Sequence, residues 1–194
     1  MIHSDALAAA FARFPTLTTD RCLLRAITPA DTAALFELES DPQVTRYLGR
    51  APMPSLEATA RRIESFRTQF DTRQALQWGV VPRPDGPLIG TCVFWHLRPA
   101  HYRAEIGYML SPAWWGQGVM SEVVAAVLDF GFATMGLHSV DAQIDPANAA
   151  SRRLLEKLGF VQEAYFREDY FHPVEQRFTD TAIFSLLVSG WRAR

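Results

Sequence analysis

The sequence predicts a mixed α/β fold, and three observations carry that prediction. Pro82-Arg83-Pro84-Asp85-Gly86-Pro87 is a turn between two apolar runs, so the runs read as arms of an antiparallel hairpin. From Glu105 to Gly159 the pattern is strand, Gly-rich turn, helix, strand, helix. Two further segments, Phe160 to Phe171 and Phe178 to Val188, read as the strands of a long closing hairpin.

The elements follow in order. Ser4 to Phe14 places Leu7, Phe11 and Phe14 on one side of a short amphipathic helix, which Pro15 ends. Thr16 to Arg25 reads as one first strand. Thr28-Pro29-Ala30-Asp31 is a helix start, with Thr28 as N-cap and Pro29 at the first position. That helix carries Leu35, Phe36 and Leu38 and stops near Asp41-Pro42. Val44 to Leu48 is a short segment, and Ala51 to Pro54 is a loop. Ser55-Leu56-Glu57 opens a helix with Ile63, Phe66 and Phe70 at helical spacing; Arg61, Arg62 and Arg67 read as its solvated face. Leu76 to Val81 and Leu88 to His96 are the hairpin arms. Glu105 to Leu110 is the strand entering the Gly-rich turn, with a helix from about Val119 to Thr134 after it. Ser139 to Ile144 alternates as a strand. Asp145-Pro146-Ala147-Asn148 begins a helix carrying Leu154, Leu155 and Leu158, capped by Gly159.

The 194 residues suit a single domain, with 1–15 an N-terminal extension and the core at about 16–188. Nineteen Lys and Arg against 21 Asp and Glu give a net charge of −2, so no global basic footprint for nucleic acid exists. Two cysteines far apart, Cys22 and Cys92, give neither a disulfide framework nor metal-ligand spacing, and fit a reducing cytoplasm. The alanine-rich N-terminal stretch lacks a basic leader, which argues against a secretory signal. No apolar run approaches the ~20 residues of a membrane span.

The chain is organised around Ser111 to Glu122, where an apolar strand meets a helix through Trp115-Gly116-Gln117-Gly118. Such a turn leaves several N–H groups pointing one way, and the helix dipole adds roughly half a positive charge. A phosphate or pyrophosphate fits there. Gly116 and Gly118 permit positive φ and close approach of a ligand. Two glycines before a helix also serve as a plain turn. The stretch is neither a dinucleotide fingerprint, since Ser121 stands where its third glycine would be, nor a P-loop.

Taken together, Val44-Thr45-Arg46-Tyr47-Leu48-Gly49, Glu105-Ile106-Gly107-Tyr108, Trp115-Gly116-Gln117-Gly118 with Ser121-Glu122, the run Asn148 to Phe160 and the late Asp180 resemble the GCN5-related N-acetyltransferase (GNAT) superfamily. The resemblance spans about Leu17 to Leu187. It is nearest the branch of bacterial ribosomal-protein N-terminal (alanine/serine) acetyltransferases. It implies a twisted, mostly antiparallel sheet splayed at its centre and flanked by helices, with acetyl-CoA as cosubstrate in the splay. The pyrophosphate would rest on the backbone amides of Trp115, Gly116, Gln117, Gly118, Val119, Met120 and Ser121. The pantetheine arm would pair like a strand with Tyr108, Met109 and Leu110, and Asn148 would hydrogen-bond it. Ser151 would lie near the sulfur. Three positions depart from the superfamily pattern: Ala113 replaces an Arg or Gln, Leu155 replaces a tyrosine acid, and Gln143 replaces a glutamate base.

Acetyl transfer to an amine needs a neutral nitrogen, an oxyanion donor and a leaving thiolate. An alkylamine titrates near ~10.4 and an α-amine near ~8, so a base matters more for the former. Glu105 is the candidate base, direct or through water; the alternative is a sheet-edge carboxylate paired with Arg103. Asp180 is a second candidate, or a residue that fixes the last hairpin, and His96 is a runner-up. Glu168 and Asp169 read as exposed loop charges. Ser151 is the candidate to assist the thiolate, or a first-turn serine bonding its own backbone. Asn148 is also an ordinary N-cap. A backbone N–H in Tyr108 to Leu110 is the expected oxyanion donor. Trp114 and Trp115 cover the cofactor or pack the helix. Tyr47, Trp95, His96, Tyr165 and Tyr170 line an acceptor groove or simply pack. The acceptor expected from the branch is a protein or peptide N-terminus. A small amine (polyamine, antibiotic or amino acid) and a non-catalytic acyl-CoA-binding module are the alternatives. No metal, nucleic acid or membrane partner is expected, and a homodimer stays open.

Overall fold

The computed structural model describes residues 2–193, with side chains from residue 6; Met1 and Arg194, the ends of the expected domain, lie outside the described residues. Eight strands form one sheet in the order β1-β2-β3-β4-β5-β6-β8-β7. They are β1 (Leu17–Thr18), β2 (Cys22–Ala26), β3 (Leu76–Pro82), β4 (Gly90–Arg98), β5 (Arg103–Leu110), β6 (Ser139–Ile144), β7 (Val161–His172) and β8 (Arg177–Leu187). Every neighbouring pair is antiparallel except β5 and β6.

That parallel pair makes the site. Arg103 pairs with Ser139, Ala104 with Val140 and Glu105 with Asp141; beyond Glu105 the strands part. β5 continues along β4 as far as Leu110, and β6 continues along β8 as far as Ile144. Each strand keeps one partner and turns an unpaired edge to the other, which is the expected splay.

Helices α1 (Ile2–Ala10), α2 (Thr32–Ser40), α3 (Pro42–Thr45), α4 (Leu56–Asp71), α5 (Val119–Asp129), α6 (Ala149–Lys157) and α7 (Val188–Arg192) flank the sheet. α5 buries Val119, Met120, Val123, Val124, Val127 and Leu128 against Trp78, Val80, Cys92 and Phe94 of the sheet. Full burial of one such aliphatic side chain is worth about 1.5–3 kcal/mol, so this helix and the turn before it are firmly seated. α2 and α4 form a second core around Leu35, Leu38, Ile63 and Phe66.

Several sequence expectations are corrected. The first strand is a tight hairpin: Thr19 Oγ1 accepts from Cys22 N–H at 2.9 Å, and Thr19 N–H donates to the Cys22 carbonyl at 2.9 Å. Apolar alternation runs through this turn and conceals it. The first helix ends at Ala10, ahead of Pro15, whose carbonyl accepts from Trp78 Nε1 at 2.8 Å. Phe11 and Phe14 still pack inward, with ring centroids 5.4 and 5.2 Å from Phe70. Val44 falls in α3, and α5 passes at Phe130 into a wider π turn that ends at Thr134. α7 has no clear periodic signal in the sequence.

Arg62 is not a solvated side chain. It and Arg50 both donate to Oε1 of the wholly buried Glu39, each at 3.0 Å. Glu39 also accepts from Met53 N–H through its backbone carbonyl, at 2.9 Å. A buried carboxylate needs such partners, and this one ties the loop 46–54 to α2 and α4. Tyr170 then donates to the Gly49 carbonyl, which joins the same loop to the last hairpin.

Candidate active site

The fork between β5 and β6 ends at Glu105, which is 7 % exposed. His96 Nδ1 lies 3.0 Å from Glu105 Oε2, and Gln143 Nε2 donates to the same oxygen at 3.2 Å. Oε1 accepts no hydrogen bond among the described residues and stays available to a ligand. Arg103, the alternative partner for Glu105, instead donates to Asp141 at 2.6 Å.

The sequence folds this way because β4 is irregular beside Glu105. Its register against β5 shifts between Trp95 and Arg98, and His96 takes a left-handed backbone, φ 44°. A non-glycine residue rarely holds that conformation, and it recurs at functional sites. Here it swings the imidazole across to the neighbouring carboxylate. The ring stacks on Trp95, centroids 4.5 Å apart and 7° from parallel, with 61 % of the His96 side chain exposed. A buried carboxylate is thereby linked through an imidazole to solvent. That arrangement can take a proton from a ligand and pass it to water.

The Gly-rich turn lies where β5 ends. Gly116 and Gly118 have φ of 72° and 76°, and a Cβ built on Gly116 would meet nothing within 4 Å. Trp115 N–H donates to Pro112 O, and Glu122 N–H donates to Gly118 O. The N–H groups of residues 116 to 121 donate to no acceptor among the described residues. They stand at the positive end of the α5 dipole, so the turn is an open cradle suited to a pyrophosphate.

Arg21, expected only as a strand residue, sits beside this cradle. Its Nη1 donates to Gln117 O at 2.8 Å, and its Nε donates to Glu122 Oε2 at 2.6 Å. Its backbone N–H adds a third contact, to Glu122 Oε1 at 2.9 Å. Burial alone would raise the Glu122 carboxyl, but hydrogen bonds from Thr19 and Arg21 outweigh it and hold it below the usual range. The sole sequence hint was an acidic residue in the first turn of α5; its partner lies 101 positions away.

Strand alternation sorts the other expected residues. Ser111 N–H donates to Ile89 O at 2.7 Å, so the backbone of Met109 faces β4 as well. The N–H and C=O of Tyr108 and the N–H of Leu110 face the open edge instead. The backbone of Met109 thus belongs to the sheet, and its side chain packs beside the second core. The Leu110 carbonyl is already taken by Trp115 Nε1, at 2.7 Å. Trp115 thus caps the end of β5, while Trp114 packs against the main core.

Across the splay, Asn148 caps α6 by accepting from Ser151 N–H at 3.1 Å. That fixes the first turn of α6, with Ser151 half-buried facing the Tyr108 hydroxyl. Asp180 accepts from the Tyr165 hydroxyl and, at 2.9 Å, from Glu168 N–H. Both contacts hold the bulge of β7, so Asp180 fixes the hairpin. Among the described residues no group of three or more His, Cys, Asp or Glu is placed to hold a metal ion, and no helix is long and apolar enough to cross a membrane.

Comparison with known proteins agrees with this geometry. The family model described as an acetyltransferase (GNAT) domain matches residues 21–161. The Bacillus subtilis protein named uncharacterized N-acetyltransferase YoaA is 41% identical over 155 residues, covering 80% of this chain and 88% of that one. The Escherichia coli [ribosomal protein uS5]-alanine N-acetyltransferase is 25% identical over 183 residues, covering 90% and 92%. Mycobacterium smegmatis RimJ, solved in complex with CoA-disulfide, shares the fold with a TM-score of 0.82 at 19% identity, covering 91% of this chain and 88% of that one.

Proposed function

The chain belongs to the GNAT acetyltransferase family and is an N-acetyltransferase; from that premise we propose that it acetylates the α-amine of a protein or peptide N-terminus at the β5–β6 fork. The observation that carries this reading is the fork itself. Along β5 follow a relay-linked carboxylate, an open strand edge and, after the strand ends, a turn of unpaired amides, and this order supports the reading.

Acetyl-CoA, when bound, supplies the activated acyl group as its thioester. The cradle at residues 116 to 121 would hold its pyrophosphate, with Gly116 and Gly118 giving room. The open edge of β5 at Tyr108 and Leu110 and the Asn148 side chain would hold the pantetheine arm. The Tyr108 or Leu110 N–H is then the donor to the oxyanion. Glu105 Oε1 accepts the proton lost by the attacking amine, and His96 passes it to solvent. Gln143 keeps the carboxylate aimed.

Two considerations favour an N-terminal α-amine over a polyamine. An α-amine titrates near ~8, so about a tenth of it is neutral at pH 7, against less than about a thousandth of an alkylamine near ~10.4, and one relay carboxylate suffices for the rest. A polycation calls for several carboxylates left unneutralised, and Asp141, which pairs with Glu105 across the fork, is neutralised by Arg103. The similarity to an alanine N-acetyltransferase of a ribosomal protein supports this acceptor, and the similarity to a spermidine N(1)-acetyltransferase of Vibrio cholerae, 23% identical over 171 residues, makes spermidine the competing substrate to test.

The test is CoA release from acetyl-CoA with peptides beginning in Ala or Ser, set against spermidine and single amino acids. Turnover with the peptides is expected. Turnover with small amines alone would overturn the acceptor assignment. Binding of acetyl-CoA with no turnover on any amine would favour a binding module.

A further inference from the structure

Cofactor binding at the fork would engage the backbone of Tyr108 and leave its phenol without a role. That hydroxyl is buried and has no hydrogen-bond partner of ordinary geometry. A buried donor without a partner is costly, and native structures keep one where something else completes it. Tyr108 stands three positions beyond Glu105, so its side chain leaves β5 on the opposite face, against the core that includes α5 and α6. The polar group it approaches is the Ser151 hydroxyl. Asn148 anchors the Ser151 backbone, so this serine is presented at a fixed point of the splay. One turn further along α6 the fully buried Leu155 can bring no proton.

Resting on the acetyl-CoA reading of the fork, we propose that Tyr108 is a positioning residue for thiolate departure. With the cofactor bound, its O–H closes on Ser151 Oγ and makes the hydrogen bond it lacks in the free protein, which turns the Ser151 O–H into the splay to donate to the sulfur. Burial pushes the phenol up to about 12, so it stays a donor throughout neutral pH. Outright proton transfer from such a phenol to a thiolate near ~8.5 is uphill by more than three pKa units, so a hydrogen bond and not a transferred proton is the contribution. In the step itself, the amine lone pair forms the N–C bond, the C–S bond breaks, and its electron pair stays on sulfur. The amine proton leaves through Glu105 and His96 to water, and the released thiolate is protonated by water. Tyr108 and Ser151 keep their protons.

The test compares the affinities of CoA and desulfo-CoA as pH rises, for wild type, Tyr108→Phe, Ser151→Ala and the double variant. A site that stabilises the thiolate binds CoA more tightly than desulfo-CoA as the thiol ionises. Losing about one pKa unit of that stabilisation is tenfold. Tyr108→Phe is expected to lose roughly tenfold of the high-pH gain while binding desulfo-CoA as wild type does. Ser151→Ala should lose at least as much, and the double variant no more than Ser151→Ala alone. A Tyr108→Phe profile identical to wild type overturns the proposal. So does an equal loss for CoA and desulfo-CoA, which would mark Tyr108 as structural. If wild type binds desulfo-CoA in the splay but shows no pH-dependent preference for CoA, this inference fails and the cofactor reading stands. If wild type binds neither, the cofactor reading itself fails.

Discussion

Replacing Gly118 by alanine separates the turn's part in binding from its part in folding. Gly118 precedes α5 with φ 76°, and a Cβ built there meets only Arg21 Nη2, at 3.8 Å. No atom is displaced, so the cost is one of backbone conformation, about 1–2 kcal/mol for a left-handed non-glycine residue. For a chain of this size that lowers Tm by about 2–8 °C. Relief of the strain rotates the peptide units around residue 118 and turns their N–H groups away from the common point. One lost hydrogen bond to a charged group is worth about 1.5–3 kcal/mol, or roughly tenfold to a hundredfold in CoA affinity. Gly136 offers the control. It has φ 71° and lies past the far end of α5, away from the cradle. Gly136→Ala should lose comparable stability and bind CoA normally. Melting curves without ligand and calorimetric titration with CoA measure both quantities. Unchanged CoA affinity in a folded Gly118→Ala, or equal affinity losses in the two variants, would refute the assignment of the anion site.

Other variants test neighbouring parts of the account. Arg21→Ala leaves Glu122 uncompensated beside the cradle and should weaken CoA binding about tenfold at low salt, less as salt screens the charge; a salt-independent loss contradicts this. In Asp31, burial raises the carboxyl, but hydrogen bonds from Arg25 and Thr28 win and hold it below the usual range. Its folded value lies under the unfolded one of ~3.9, so its stabilisation is complete above about pH 5 and is lost as pH falls through the folded value. Asp31→Asn should therefore flatten the acid limb of Tm against pH, and an unaltered limb would remove the Arg25–Asp31 pair from acid stability. Asp180→Asn should lower Tm and leave turnover nearly intact, whereas lost turnover in a folded variant would return Asp180 to the chemistry.

Much of this architecture was legible because its signals are local. The Pro-rich turn at 82–87, the alternation of Ser139 to Ile144 and the Asp-Pro-Ala-Asn start of α6 each declare an element within a few residues. The Gly-rich turn was likewise visible, since two glycines before an apolar helix suit few other conformations. Pairings across long distances were not. Arg62 looks like one more exposed arginine until Glu39 is found beneath it, and Arg21 looks like a strand residue until Glu122 is folded against it. The His96–Glu105 contact depends on a shift of register, which no periodicity encodes. The inward-facing backbone of Met109 is hidden for a simpler reason: the apolar run of β5 does not tell which backbone edge faces its neighbour.

The claim at the centre is that Glu105, relayed through His96, takes the amine proton at the fork. Turnover against pH for wild type and Glu105→Gln measures it most directly, with acetyl-CoA affinity followed in parallel. Glutamine keeps the shape and the hydrogen-bonding capacity and removes the basicity. The account predicts unchanged acetyl-CoA affinity and about a tenfold or greater loss of turnover near neutral pH, shrinking as pH rises and the free amine becomes abundant. Superimposable profiles, or a Glu105→Gln protein that merely melts earlier while turning over normally, would contradict it.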